Sequence, residues 1–181
     1  MESLRGKLLV ASPSLLDPNF HRTVVLIAEH GEDGAMGVVL NRESELEVDE
    51  AAPSLAEIVE PGALVHEGGP VQPTAVMIMA EFEDPAAAAA LVVEDIGFVS
   101  AEIDFDSLDT VVRRVRVFAG LAGWAPGQLE AEIERDDWIV EPALPEDVFH
   151  TSAEDLWSAV LERKGGQFAL VARMPEDPSL N

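Results

Sequence analysis

A glycine-rich segment around position 120 constrains this chain more than any other part of the sequence. It places Gly120, Gly123 and Gly127 between an alternating apolar run and a short acidic helix pattern. Glycine is the residue that best tolerates left-handed backbone conformations and the close approach of a ligand or another backbone. The segment therefore predicts either a tight turn packed on the protein's own core or a cradle for a ligand.

The residues around these glycines match a phosphate cradle poorly. Their spacing fits neither the Gly-x-Gly-x-x-Gly pattern nor the P-loop pattern, and no lysine follows them. Carboxylates at Glu130, Glu132 and Glu134 would repel a bound phosphate. We therefore predict a compact structural turn that is held in place by Trp124.

Length and composition favour one cytoplasmic domain. The 181 residues are enough for one substantial core and too few for two, and no linker divides them, so we predict a single domain over 1–181. The absence of cysteine excludes a disulfide scaffold, a thiolate nucleophile and a thiolate metal site. No signal-peptide pattern is present, and no apolar run approaches the ~20 residues that span a bilayer. We expect a cytoplasmic protein with no membrane association.

The net charge argues against one class of partner. The chain has 35 acidic and 11 basic residues, which gives a formal net charge of −24. Such a surface repels a phosphate backbone, so we expect direct binding to nucleic acid to be disfavoured. The one basic cluster, at positions 113–116, is expected to neutralise acidic neighbours within the protein itself.

Strand patterns dominate the chain, and the helical patterns do not alternate regularly with them. This arrangement predicts an α+β fold rather than a doubly wound α/β fold. A turn at 31–34 joins the second and third predicted strands into a hairpin. Strands are predicted at 7–11, 22–28, 35–41, 63–66, 74–80, 96–100, 115–117, 138–140 and 167–173. Helices are predicted at 53–60, in the alanine run after Asp84 and Pro85, at 106–112, at 130–136 and from a capping box at Thr151 to Gly165.

A set of polar residues is expected to meet at the open end of the hairpin. Two arginines in this set could hold a carboxylate or a phosphate. Alternatively, the aspartate of the set pairs with an arginine and only stabilises the loop. Together with the tryptophan of the glycine-rich segment they are the candidate ligand-binding residues: Asp17, His21, Arg22, Asn41, Arg42 and Trp124.

No pattern in the sequence indicates a metal, a cofactor or a catalytic residue. The histidines His21, His30, His66 and His150 show no metal-ligand spacing, and we interpret them as exposed turn residues. A serine-hydrolase elbow is absent, and carboxylates are too abundant for one acid–base pair to be selected. The sequence favours a non-enzymatic protein without a cofactor.

Several segments, in order along essentially the whole chain, resemble the YqgE/AlgH family. The segment Gly34-Ala-Met-Gly-Val-Val-Leu-Asn-Arg42 is similar to part of the family's N-terminal signature, and 118–133 is similar to its most distinctive block. Two departures are Glu43, where a proline commonly follows Asn-Arg, and Leu121, where an aromatic residue is usual. The other segments that carry the resemblance are 6–13, 17–25, 67–71 and 175–181.

The resemblance implies a bacterial cytoplasmic protein with a mixed, mostly antiparallel sheet that curls into a pseudo-barrel with a few flanking helices. Members of the family are often labelled transcriptional regulators, but the resemblance supplies no catalytic residues and no helix-turn-helix. We therefore expect a non-enzymatic regulatory or interaction protein that acts through an unknown protein or small-molecule partner. The alternative is a small-molecule or anion-binding domain, or an enzyme, with a site between the N-terminal hairpin and the glycine-rich segment.

Overall fold

The computed structural model describes residues 2–177, so 178–181 of the C-terminal segment with family resemblance lie outside the described residues. The described part combines a large, mostly antiparallel sheet with short helices, which confirms the predicted α+β class. No helix of residues 2–177 is long and apolar enough to cross a membrane. The strands are β1 (Lys7–Ala11), β2 (Val24–Gly31), β3 (Gly34–Val39), β4 (Glu43–Glu47), β5 (Leu64–Glu67), β6 (Val71–Phe82), β7 (Ala90–Val93), β8 (Ile96–Phe98), β9 (Val112–Trp124) and β10 (Trp138–Pro142). The helices are α1 (Val48–Ala51), α2 (Phe105–Leu108), α3 (Gln128–Glu134), α4 (Pro145–Val148), α5 (Ala153–Lys164) and α6 (Gln167–Val171).

The sheet is curled but open. Its strand order is β10-β1-β2-β3-β9-β6-β8-β7, and β5 pairs with both β4 and β9. The pairing of β5 with β9 is parallel, with His66 opposite Phe118 and Glu67 opposite Ala119. The two ends of the sheet approach each other where Arg5, just before β1, donates to the carbonyl of Leu91 in β7. The predicted pseudo-barrel is therefore a sheet that is not closed into a barrel.

Strand β1 packs on both faces, as its continuous apolar sequence predicts. Leu8 and Val10 lie in a core cluster with Trp157 of α5, whereas Leu9 and Ala11 lie in a second cluster. The hairpin of β2 and β3 also forms as predicted, with Gly31 opposite Gly34. A third cluster lies around β6 and the first half of β9 and includes Val48, Leu55 and Val65.

The glycine-rich segment is a strand up to Trp124, and the predicted turn is confined to Pro126 and Gly127 before α3. Gly120 and Gly123 lie inside β9, which continues to Trp124. Gly120 has a φ of 78°, and a Cβ atom placed there would lie 2.3 Å from the carbonyl oxygen of Gly69. The amide of Gly68 donates to the carbonyl of Ala119 at 2.8 Å. The glycines of the strand thus permit a close approach of two segments of this protein's own backbone.

Trp124 holds this region in place through a shared carboxylate. Its Nε1 donates to Oε2 of Glu132 at 2.7 Å, and Nε1 of Trp138 donates to the same oxygen at 2.9 Å. Gln128 donates to the other oxygen, Oε1, at 3.1 Å. Glu132 is therefore an internal hydrogen-bond acceptor. This carboxylate of the acidic helix α3 has a structural role.

Three predicted helices differ from the structure. The alanine run forms only a 3₁₀ turn at Pro85–Ala87, because the amide of Ala89 donates to the carbonyl of Phe98 and the chain enters the sheet. Sheet pairing here outweighs the helix propensity of alanine. The segment 53–60 likewise contains only a 3₁₀ turn at Pro53–Leu55. Helix α5 has Ser152 and not Thr151 at its N-cap, without a side-chain capping bond.

The predicted last strand, 167–173, is wrong. The chain forms helix α6 there, and Gly165 and Gly166 at positive φ separate it from α5. The two glycines reverse the chain, so that α6 returns to pack on α5. Packing of Phe168 and Val171 on the core cluster of α5 then favours the helix over an extended chain.

Alanine substitutions at Gly120 and Gly127 test the close backbone approach. Both glycines adopt a left-handed conformation, at φ 78° and 77°, but a Cβ at Gly127 meets no atom within 4 Å. Both substitutions incur left-handed strain of about 1–2 kcal/mol. Gly120→Ala should lower the free energy of unfolding by a further ~1–3 kcal/mol, because it also overpacks the contact with Gly69. Urea unfolding of both variants measures the difference, and equal losses would contradict the contact.

Candidate functional site

A cleft with a volume of about 510 Å³ lies between β9 and the segment that joins α1 to β5. Its wall on the β9 side carries the basic residues of positions 113–116, and its other wall is largely apolar. We call it the histidine cleft, because two histidines line it. Its lining residues are Glu43, Val48, 58–64, His66, 113–117, Phe149, His150 and Thr151.

His66 extends from β5 and is 3% exposed. Its Nδ1 lies 3.3 Å from the carbonyl oxygen of Leu64, and a carbonyl can only accept a hydrogen bond. Nδ1 of the neutral ring therefore carries the proton, and Nε2 carries a lone pair. This Nε2 atom is buried and has no hydrogen-bond partner. The nearest carboxylate oxygen is Oε1 of Glu43 at 3.9 Å, which is too far for a hydrogen bond.

His150 follows α4 and is 8% exposed. Its Nε2 lies 2.6 Å from the carbonyl oxygen of Leu40, so Nε2 carries the proton. Its Nδ1 carries the lone pair, is buried and has no hydrogen-bond partner. The rings of His150 and His66 meet edge to face, with centroids 5.6 Å apart. The cleft therefore contains two imidazoles whose lone pairs are not used within the protein.

Arg116 connects β9 to the segment that carries His150. Its Nη1 donates to the carbonyl of Val148 at 2.9 Å, and its Nη2 donates to the carbonyl of His150 at 3.1 Å. The Cζ atom of Arg114 lies 4.4 Å from the centroid of the Phe149 ring. These contacts hold residues 148–150 against the strand and position the His150 ring.

Burial and charge keep both histidines neutral. Burial, with smaller contributions from the charge of Arg116 and from His150, lowers the pKa of His66 from 6.5 to about 3. Burial is also the main cause that lowers the pKa of His150, and Arg116 adds to the effect. Burial lowers the pKa of Arg116 too, although Glu43 and Glu60 oppose this. At neutral pH the imidazoles are therefore hydrogen-bond acceptors at their free nitrogens.

The free ring nitrogens of His66 and His150 can accept hydrogen bonds. Within residues 2–177, no group of three His, Asp or Glu side chains is arranged to hold a metal ion. A buried acceptor without a donor costs about 1–3 kcal/mol of stability, so a molecule that donates to these nitrogens gains binding energy. Uncharged imidazoles of this kind bind N–H or O–H donors.

The structure brings most of the predicted polar residues together at the end of the hairpin. Asn41 links the two strands at this end of the hairpin. Its Oδ1 accepts a hydrogen bond from the amide of Val24, and its Nδ2 donates to the carbonyl of Arg22. Arg42 donates to the carbonyls of Asn19 and His21 at 2.9 and 3.1 Å. Burial lowers the pKa of Arg42, against the opposing charges of Glu67 and Asp17.

The remaining predicted residues also have partners within the protein. Oδ1 of Asp17 accepts from the amide of Asn19 at 2.9 Å, and Nδ1 of His21 lies 3.2 Å from the carbonyl oxygen of Leu15. Arg22 adopts a φ of 55°, places its Cζ 4.2 Å from the centroid of the Trp157 ring and donates to the carbonyl of Met174. Trp124 does not join this group but packs with Phe20 and Trp138.

A second cavity, of about 350 Å³, lies next to this group. Arg42 is the predicted site residue that lines it, together with Asn19, Glu67 and Pro70. The cavity also reaches Ala119 in β9, so it lies between the hairpin and the glycine-rich strand. The role of the six predicted residues in ligand binding stays a prediction.

The sequence interpretation missed the histidine cleft. His30, His66 and His150 were expected to be exposed turn residues, and this was wrong: the His30 side chain is 3% exposed and the other two are buried. The position of His66 beside the apolar residues of a predicted strand was the available signal. Of the basic cluster, Arg113 and Arg114 pair with Glu81 as expected, whereas Arg116 donates to backbone carbonyls.

Comparison with known proteins gives consistent matches over nearly the whole chain. The AlgH-like family matches residues 8–169. A UPF0301 protein of Streptomyces coelicolor is 41% identical over 187 residues, which cover 100% of this chain and 97% of that protein. A crystal structure of a Corynebacterium diphtheriae protein superposes with a TM-score of 0.87 at 34% identity, covering 95% of this chain and 93% of the other. The solution structure of AlgH from Pseudomonas aeruginosa has a TM-score of 0.72 at 30% identity, covering 96% and 95%.

The lowered pKa of His66 predicts a pH-dependent stability. In the unfolded chain a histidine has a pKa near 6.5, whereas in the folded protein the pKa is about 3. Between these values the unfolded chain binds a proton that the folded protein does not, so stability falls as pH falls below about 6.5. Lowering the pH from 7.5 to 5.5 should reduce the free energy of unfolding of the wild type by roughly 1 kcal/mol more than that of His66→Gln. Urea unfolding at both pH values measures this, and equal losses would show that His66 is not held neutral.

Proposed function

Because the chain belongs to the AlgH-like family, whose molecular function is unresolved, we propose that it is a cytoplasmic, non-enzymatic regulatory protein that binds a small molecule in the histidine cleft. The relatives' names state no activity, so the proposal rests on this chain's own residues. Occupation of the cleft would change how the protein presents its surface to a protein partner.

The observation that carries the proposal is the pair of buried, unpartnered ring nitrogens on His66 and His150. Buried polar atoms in folded proteins are nearly always hydrogen-bonded, and exceptions concentrate at functional sites. The volume of about 510 Å³ lies within the range of small-molecule sites, and the walls combine apolar residues with a few polar groups. No hydrogen bond joins the hydroxyl of Thr151, which also lines the cleft, to either imidazole in the described residues, and this favours binding over catalysis.

The contacts of the basic side chains support a partner other than nucleic acid. Of the 11 basic residues, all of which lie within 2–177, nine donate to an acidic side chain or a backbone carbonyl of the same chain. Each of these contacts uses part of the donor capacity of the side chain, and an acidic partner also offsets its charge. The excess of acidic residues then dominates the surface potential.

A second candidate is an anion-binding site in the cavity beside Arg42. It is favoured by the position of this arginine between the hairpin and the glycine-rich strand. Against it, both terminal nitrogens of Arg42 already donate to backbone carbonyls, and Glu67 lines the same cavity. The histidine cleft, whose acceptors are unused, is the stronger proposal.

A thermal-shift screen with metabolites tests the proposal. A ligand of the cleft at 100 times its dissociation constant should add about 2.7 kcal/mol of stability. We expect His66→Phe, which keeps an aromatic ring and removes the free nitrogen, to lose most of this ligand-induced shift. Arg42→Lys serves as the matched variant at the second cavity and should retain it. Loss of the shift in Arg42→Lys alone would assign the ligand to the second cavity instead.

The same preparation provides the test against a nucleic-acid role. Filter retention of duplex DNA at ~50 mM salt should detect no tight complex. Salt-sensitive, sub-micromolar retention would contradict the proposal, as would a screen in which no metabolite stabilises the wild type.

A further inference from the structure

We propose that the ligand of the histidine cleft is a small, planar, uncharged molecule that donates N–H hydrogen bonds to the free ring nitrogens of His66 and His150. Nucleobases and cyclic amides are of this class. The inference rests on the proposed function, that the cleft binds a small molecule, and adds the chemistry by which the molecule is recognised.

The direction of the hydrogen bonds follows from the backbone contacts of the two rings. The carbonyls of Leu64 and Leu40 take the protons of His66 Nδ1 and His150 Nε2. The opposite nitrogen of each ring is left as an acceptor. A ligand that satisfies both nitrogens must therefore bring two donors. A ligand that offers only acceptors leaves both nitrogens unsatisfied.

The charges around the rings favour an uncharged ligand. Glu43 and Glu60 line the cleft and repel an anion, while the terminal nitrogens of Arg116 are engaged with backbone carbonyls. A cation is opposed by the charge of Arg116, which is close enough to lower the pKa of both histidines. Both signs of charge are thus disfavoured at the buried end of the cleft.

The apolar part of the cleft wall favours the flat faces of a planar ligand over a polyol. Val48, Val115 and Val117 line it together with the ring of Phe149 and the apolar part of the segment 58–64. Hydroxyl groups that face these side chains would lose their hydrogen bonds to water without replacement. A planar heterocycle places its N–H edge on the imidazoles and its apolar faces on these walls.

Entry of such a ligand requires one side chain to move. The free nitrogens of His66 and His150 are closed to solvent, and the carboxylate of Glu43 lies 3.9 Å from His66 Nε2. The Glu43 side chain is 43% exposed, so it can turn into solvent at low cost. Glu43 therefore covers the acceptor in the free protein, and an N–H donor replaces it in the complex.

Isothermal titration of the full-length protein at pH 7.5 tests the proposal. The probes are uncharged nucleobases (uracil, hypoxanthine and adenine), uncharged polyols (glycerol and myo-inositol), inorganic phosphate and zinc chloride. The variants are His66→Phe, which removes the acceptor, and His66→Gln, which keeps an acceptor oxygen. His30→Gln is the matched control, because both ring nitrogens of His30 are already bonded, to the amide of Leu4 and to Glu130.

We expect at least one nucleobase to bind the wild type. His66→Phe should lower its affinity by about tenfold, whereas His66→Gln and His30→Gln should retain most of the affinity. Binding of only polyols, phosphate or zinc, with the same dependence on His66, would overturn the ligand class and leave the proposed function standing. Binding that is unaffected by His66→Phe would overturn the proposal, because the imidazole then takes no part. If no probe binds and the metabolite screen finds no ligand of the cleft, both this inference and the proposed function fail.

Discussion

The backbones at Gly69 and Gly120 are in close contact, and this contact determines how β5 and the segment after it pack on β9. It lets the segment after β5 lie directly on β9, where the amide of Gly68 donates to Ala119. The parallel pairing of β5 with β9 follows, and this pairing places His66 opposite Phe118. A side chain at either glycine would separate the two segments. Gly120, in the family's most distinctive block, thus acts on this protein's own backbone.

The contacts of the cleft support the proposal that a strongly acidic chain binds a small molecule without a large positive field. The guanidinium of Arg116 is held by two backbone carbonyls, so its charge acts on the histidines without forming the binding contact itself. Burial and this charge keep both imidazoles neutral, and the carbonyls of Leu64 and Leu40 determine which nitrogen is free. In the proposed complex, recognition depends on hydrogen-bond direction rather than on net charge, which is consistent with the formal net charge of −24 of the whole chain.

Local patterns in the sequence predicted much of the fold and little of the site. The apolar run of β1 and the hairpin of β2 and β3 were predictable because their signals lie within a few residues. The segment 167–173 was predicted as a strand, because the glycines that precede it reverse the chain through contacts with α5 that no local pattern encodes. His66 and His150 are separated by 84 positions in sequence, and only the pairing of β5 with β9 and the contacts of Arg116 bring their rings together. Burial of a histidine depends on such distant partners, so the sequence interpretation placed both at the surface.

Both histidines are neutral in this structure, and each keeps one ring nitrogen without a hydrogen bond within the protein. Long-range proton–nitrogen NMR of the ring nitrogens, on protein labelled with ¹⁵N-histidine at pH 7, tests this most directly. We expect a proton on Nδ1 of His66 and on Nε2 of His150. The other nitrogen of each ring should show the ¹⁵N chemical shift of an unprotonated imidazole nitrogen. An imidazolium spectrum for either ring, or the opposite tautomer at His66, would contradict this expectation.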